Sequence, residues 1–188
     1  MNKFFNRIIA LFALSATALP FTANAAEDEE PIVTIRTHAV EEGAAGFGIT
    51  LGTATTTEDF EIDFGFGRDL VEVEPWSITD GDINGTYIAC SPVREVKIYG
   101  DASKLNMLRV AGAYVTSIDF DKCTNMEMLD LSHNQLQSLD LTPFTKLFAV
   151  YLSDNPFTAA TPAIIGAPKP ELRIIEVDNV GYLSPTFN

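Results

Sequence analysis

Ser132, His133 and Asp130 are of the residue types used in acyl transfer, where a hydroxyl nucleophile needs a neighbouring base and the base needs an orienting carboxylate. Their spacing argues against it. On a strand, residues 130 and 132 share one face, and neither an oxyanion hole nor a glycine-rich nucleophile turn accompanies them. His38, the second histidine, lies far away in the chain. No catalytic residue is assigned, and enzyme activity is not expected. Asp80-x-Asp82-x-Asn84-Gly85 copies the first six positions of a calcium loop, in which oxygen ligands recur at every second residue. The copy breaks at the twelfth position, where Ser91 stands in place of a bidentate Glu. Asp80, Asp82 and Asn84 are thus an incomplete metal set, calcium is the one ion it would take, and no other cofactor is expected. A turn between strands, with Asn84-Gly85 supplying positive dihedral angles, accounts for the same residues. Cys90 and Cys123, with two histidines, are too few for a Cys/His zinc site, and they are expected to be separate small core residues.

The chain that positions these groups has 188 residues, 46% of them hydrophobic and 20% charged, a composition that buries a core. Its net charge of −14 excludes a surface that tracks nucleic-acid phosphates. Lys3 and Arg7 bracket a positive start, Ile8 to Pro20 is largely apolar, and Ala23-Asn24-Ala25 offers the small residues of a signal-peptidase site. Residues 1–25 therefore read as a cleaved export signal. The apolar run is too short for a membrane span, and no later segment is apolar enough to form one. The expected destination is the periplasm, the cell surface or the medium.

The second half carries a period of 21. Leu105, Met126 and Leu147 keep that spacing, as do Leu108, Leu129 and Val150, and Val110, Leu131 and Leu152. The template L-x-x-L-x-L-x-x-N-x-L is met by Met126, Leu129, Leu131, Asn134 and Leu136, and again by Leu147, Val150, Leu152, Asn155 and Phe157. Leu129 and Leu131 are expected to point inward from a short strand, with Asp130 outward between them, and Asn134 and Asn155 to satisfy backbone groups of the adjoining coil. The ends are irregular. Ala113 stands where Asn is expected, and Leu172, Ile175 and Val177 return after 25 residues, with a helical turn or two expected between Ala159 and Ala167.

Before the repeats, Val33, Ile35 and Thr37 alternate, as do Phe47, Ile49 and Leu51, and Phe60, Ile62, Phe64 and Phe66; Leu70 to Val73 is a shorter run of this type. The expected fold is α+β, mostly β: an N-terminal antiparallel β-sandwich-like cap over residues 26–95, then a short leucine-rich-repeat solenoid with a parallel sheet over 96–188, closed by a C-terminal capping segment. Trp76 is a candidate plug at the junction.

The run from Val96 to Phe157, above all Met128-Leu129-Asp130-Leu131-Ser132-His133-Asn134-Gln135-Leu136, resembles the 21-residue repeats of secreted bacterial leucine-rich-repeat proteins of the internalin-like kind. That resemblance implies a non-catalytic adhesion or recognition role.

Stacking the repeats gives columns of neighbours. One runs Met107, Met128, Ala149, Ile174, an apolar stripe; beside it runs Arg109, Asp130, Tyr151, Glu176; beyond lie Ala111, Ser132, Ser153 and Asp178. His133 aligns with Asp154. Met107, Arg109, Met128, Asp130, His133, Tyr151, Asp154, Ile174 and Glu176 are the candidate binding residues, for a protein or peptide partner. Alternatively the end members of the stripe pack under the flanking segments, leaving Arg109 and Asp130 as an ion pair. A carbohydrate-binding envelope protein, stacking sugars on Tyr151, Phe148 and Trp76, and a structural subunit of an exported assembly are the rival readings.

Overall fold

The computed structural model describes residues 29–79 and 82–158, together with the backbone of the strands at 8–10, 163–166, 174–176 and 183–185. The molecule is mostly β. Among the described residues the one helix is α1 (Ala39–Glu42), stopped by Gly43, whose left-handed φ of 68° lets the chain turn back and its N–H bond to the Ala39 carbonyl.

The alternating runs form strands where their period predicts. β2 (Val33–Thr37), β4 (Glu58–Asp63), β5 (Arg68–Val73) and β9 (Glu95–Tyr99) build an antiparallel sheet with β11 (Val115–Asp119), in the order β11-β2-β9-β4-β5. β3 (Phe47–Gly52) and β8 (Thr86–Cys90) belong to a second sheet of seven strands, ordered β1-β8-β3-β10-β12-β14-β16. Inward-facing side chains of both sheets, among them Ile35, Ile49, Phe60, Ile98 and Leu129, join in one buried apolar cluster. Phe64 and Phe66 lie beyond β4, in the hairpin to β5, and Phe66 is 80% exposed. Of the expected export signal, only β1 (Ile8–Ala10) is described; it lies parallel to Tyr87–Ala89.

The period of 21 becomes spatial neighbourhood. β10 (Met107–Arg109), β12 (Met128–Asp130), β14 (Ala149–Tyr151) and β16 (Ile174–Glu176) run parallel, with Leu108 beside Leu129, Leu129 beside Val150 and Val150 beside Ile175. The last step closes in register although it spans 25 residues. All nine residues of the three apolar columns are buried, and each such side chain removed from water contributes roughly 1.5–3 kcal/mol.

A leucine-rich-repeat solenoid with its own parallel sheet is not what forms. The parallel strands are one end of a mixed sheet: β10 pairs antiparallel with β3, which pairs antiparallel with β8. Spacing by 21 specifies parallel neighbours inside the repeat and is silent about the strand next to its first member. Ala113 marks that change, because the neighbour on its far side is no parallel coil for an amide to hold. Ladders between β3 and β10, and between β2 and β11, also cross the boundary expected near residue 95. The helical turns expected in Ala159–Ala167 give way to β15 (Ala163–Gly166), which joins β13 (Leu139–Asp140) and β17 (Leu183–Pro185) in a three-stranded sheet. Pro162 and Pro168 bracket five residues, among them Ile164 and Ile165, that suit a strand better than a helix.

Asn134 holds neighbouring coils together. Its Oδ1 accepts the N–H groups of Ala113 and Val115, both at 3.0 Å, and its Nδ2 lies 2.6, 3.0 and 3.1 Å from the carbonyls of Val110, Leu131 and Ser132. Asn155 repeats the device one coil later, accepting from Leu136 N–H at 3.0 Å and donating to Leu131 and Leu152. The residue before each turns the backbone, His133 and Asp154 both having φ of 55°, and Gly112, before the equivalent Ala113, has φ of 64°. Asn134→Ala leaves two buried N–H groups unpaired and should cost about 2–4 kcal/mol in urea unfolding. Asn155→Ala, at a half-buried site, should cost about 1 kcal/mol; equal and negligible losses would contradict the role given to both amides.

Candidate functional site

The predicted columns lie on the face of the seven-stranded sheet that points away from the shared core. Met107, Met128 and Ala149 form a second, separate apolar cluster there, and all three are fully buried. Their cover comes from Trp76, Ile83, Phe148 and Tyr151. Ile83 belongs to β7 (Asp82–Asn84), which pairs with β6 (Ser77–Thr79) in a hairpin over the sheet. Two glycines allow close approach here: a Cβ on Gly52 would sit 2.4 Å from the Trp76 Cβ, and one on Gly85, which follows β7, would meet the Leu51 carbonyl oxygen at 2.6 Å. The expected open methionine stripe is therefore corrected: Met107 and Met128 are a packing seam, and the accessible part of this face is its half-buried aromatic cover.

Asp130 is also buried, its side chain 7% exposed. Its cost of desolvation is met by Arg109, whose Nε lies 3.1 Å from Oδ2, and by Ser132, which donates N–H at 3.1 Å and O–H at 2.6 Å to Oδ1. Arg109 is 43% exposed, so the pair presents a guanidinium to solvent and keeps the carboxylate beneath it. Tyr151 is half-buried beside Asp130 in the register. Ile174 and Glu176 continue the ladder opposite Ala149 and Tyr151, while their side chains, and residue Asp178, lie outside the described residues.

His133 and Asp154 do meet. Nδ1 lies 2.6 Å from Oδ2 in an exposed pair at the coil turns. Ser132, His133 and Asp130 do not assemble as a triad: the Ser132 hydroxyl is committed to Asp130, and the His133 imidazole faces Asp154. Burial pushes the Cys90 and Cys123 thiols up to about 12, so neither supplies a thiolate near neutral pH. Both cysteines are free and buried.

The calcium-loop residues behave differently from the turn expected of them. Asp82–Asn84 is strand, Ser77 pairs with Asn84, and the Asn84 amide donates to the Asp82 carbonyl at 3.1 Å. With Thr79 paired to Asp82, Asn84-Gly85 is not the connection between these two strands, and Asp80 lies outside the described residues. Among the described residues no group of three His, Cys, Asp or Glu side chains could hold a metal ion. Ile83 was invisible as a site residue because it reads as one apolar residue in an acidic turn; its signal was the alternation Ile78, Ile83 across a short hairpin.

Truncating the two partners of the buried pair should have unequal effects. Arg109→Ala strands a desolvated carboxylate and should cost about 2 kcal/mol or more in urea unfolding, whereas Asp130→Ala leaves a guanidinium that water can reach and should cost less. The reverse order would contradict the burial assigned to Asp130.

No protein-family model matches this chain, and neither the curated proteins nor the solved structures give a match. The resemblance to secreted bacterial leucine-rich-repeat proteins is overturned on that ground and on the architecture, a mostly β chain with antiparallel sheets and almost no helix. The 21-residue spacing remains a property of this sheet without placing the chain in that family.

Proposed function

We propose that the protein is exported and recognises another protein through the aromatic cover of the seven-stranded sheet. The observation that carries the reading is the set of Trp76, Phe148 and Tyr151, three half-buried aromatic residues seated on one buried methionine seam. Half-buried aromatics on strands offer large contact area at small entropic cost, the composition of binding hot spots. Arg109 and Glu127 at the margin would set register, since polar rims orient partners more than they hold them. The reading needs no cofactor and assigns no reaction. No helix among the described residues is long and apolar enough to cross a membrane, and the positive, apolar and small-residue stretches of residues 1–25 support export.

The same aromatics support carbohydrate binding as a second reading, because a ring face beside polar groups also stacks a sugar. The two separate on one protein. The mature chain, immobilised and exposed to native envelope extract, should retain a partner whose Kd rises about 30-fold with Phe148→Ala or Tyr151→Ala, the loss of about 2 kcal/mol expected of a hot spot. Val40→Ala, an exposed control away from this face, should change nothing. Sugar retention on a glycan array that disappears with Tyr151→Ala would favour the second reading. A partner held equally by all variants would assign the protein a structural place in an assembly and contradict recognition by this face.

A further inference from the structure

We propose that β8 is a pairing edge for a second copy of this chain: once the export signal is removed, two β8 strands (Thr86–Cys90) join antiparallel and continue the sheet across a two-fold axis. In the intact chain this edge is taken by β1, whose Ile8–Ala10 runs parallel to Tyr87–Ala89. Those three residues lie inside the signal read at 1–25, so its cleavage strips β8 on that side and leaves it paired with β3 on the other. The baring of the edge rests on the export reading. Its pairing is independent of the aromatic face, which lies over β10, β12 and β14.

Nothing on β8 guards it. Sheets keep their edges from pairing with charged side chains or proline, and β5 (Arg68–Val73), an edge of the five-stranded sheet, carries Arg68, Asp69 and Glu72. β8 has neither device. Residues 83–93 hold no charged side chain, and the same is true of residues 43–57, which contain its neighbour β3. Tyr87, the largest side chain of the strand, is laid inward across the sheet, because a Cβ on Gly48 of β3 would collide with its ring. The outer main-chain groups of β8 are thus left open to lateral approach.

Charge selects the occupant. The chain carries −14 and becomes more acidic when Lys3 and Arg7 are lost, so two copies repel one another over most of their surface. They can meet where charge is absent, and the strip around β8 is such a place. A basic partner would instead be drawn to carboxylates, which this strip lacks. The strand also complements itself: antiparallel pairing centred on Ile88 sets Tyr87 opposite Ala89 of the second copy, large against small on one face.

The test expresses the gene with its signal intact in an exporting bacterium, weighs the released chain by mass spectrometry and sediments it beside the precursor purified from the cytoplasm. The released chain should begin at Ala26 and form a dimer. Its Kd should rise at least about tenfold with Ala89→Glu, which sets a carboxylate from each copy at the joint, and stay unchanged with Leu70→Glu, an exposed control on β5. Alternate amides of residues 86–90 should exchange faster on dilution to monomer, a readout that stands even where Ala89→Glu fails to fold. The wild-type precursor should stay monomeric, whereas the precursor with Ile9→Pro, which disrupts β1 without cleavage, should dimerise. A released chain that keeps residues 1–25 would refute the export reading, and the Ile9→Pro precursor then decides the edge by itself. A cleaved chain or Ile9→Pro precursor that remains monomeric at about 0.1 mM, a dimer indifferent to Ala89→Glu or dissociated equally by Leu70→Glu, or a wild-type precursor that dimerises as tightly as the cleaved chain would each overturn the proposal.

Discussion

The amide of Asn134 reaches across from one coil to the next and satisfies backbone groups that burial would otherwise leave unpaired. Much else follows from that contact. It fixes the vertical offset between successive coils, so that Leu129 lands beside Leu108 and Val150 beside Leu129. Apolar burial supplies most of the driving force, but it tolerates sliding. A buried side chain bonded to three backbone groups of the adjoining coil does not, since a shift of one residue would orphan all three.

The offset has different outcomes on the two sides of each coil. On one side the strands stay paired, and the mixed sheet carries the methionine seam with its aromatic cover. On the other side β11 turns to pair with β2 of the N-terminal sheet, while β13 pairs onward with β15. The same repeat thus builds one continuous ladder on one side and strands of two different sheets on the other. Ile118 and Ile35 are partners across β11 and β2, so the N-terminal strands take the place that a further coil would occupy.

Much of this was legible in the residues, and the illegible part has physical causes. Columns of Leu, Val and Asn at 21 residues translate directly into parallel register, and alternation at Val33, Phe47, Phe60 and Leu70 into strands, because period and burial are local properties. Asp130 and Arg109 were legible as neighbours for the same reason. The antiparallel continuation through β3 and β8 was not, since nothing in the pattern of one strand states which strand lies beside it. Exposure of Met107 and Met128 could not be read either: their cover comes from Trp76 and Ile83, 52 and 45 residues from Met128 in the chain. The resemblance to a repeat family failed because a 21-residue template describes a way of stacking strands, which a chain outside that family can also use.

The account rests on direct lateral contact between residues 21 apart, and amide NMR of the full chain tests it most simply. Cross-strand NOEs should link the backbones of Leu108 to Leu129 and Leu129 to Val150, with slow amide exchange along β10, β12 and β14, as a buried ladder requires. Leu129 showing contacts to neither Leu108 nor Val150, with fast exchange through Met128–Asp130, would contradict the register and with it the seam.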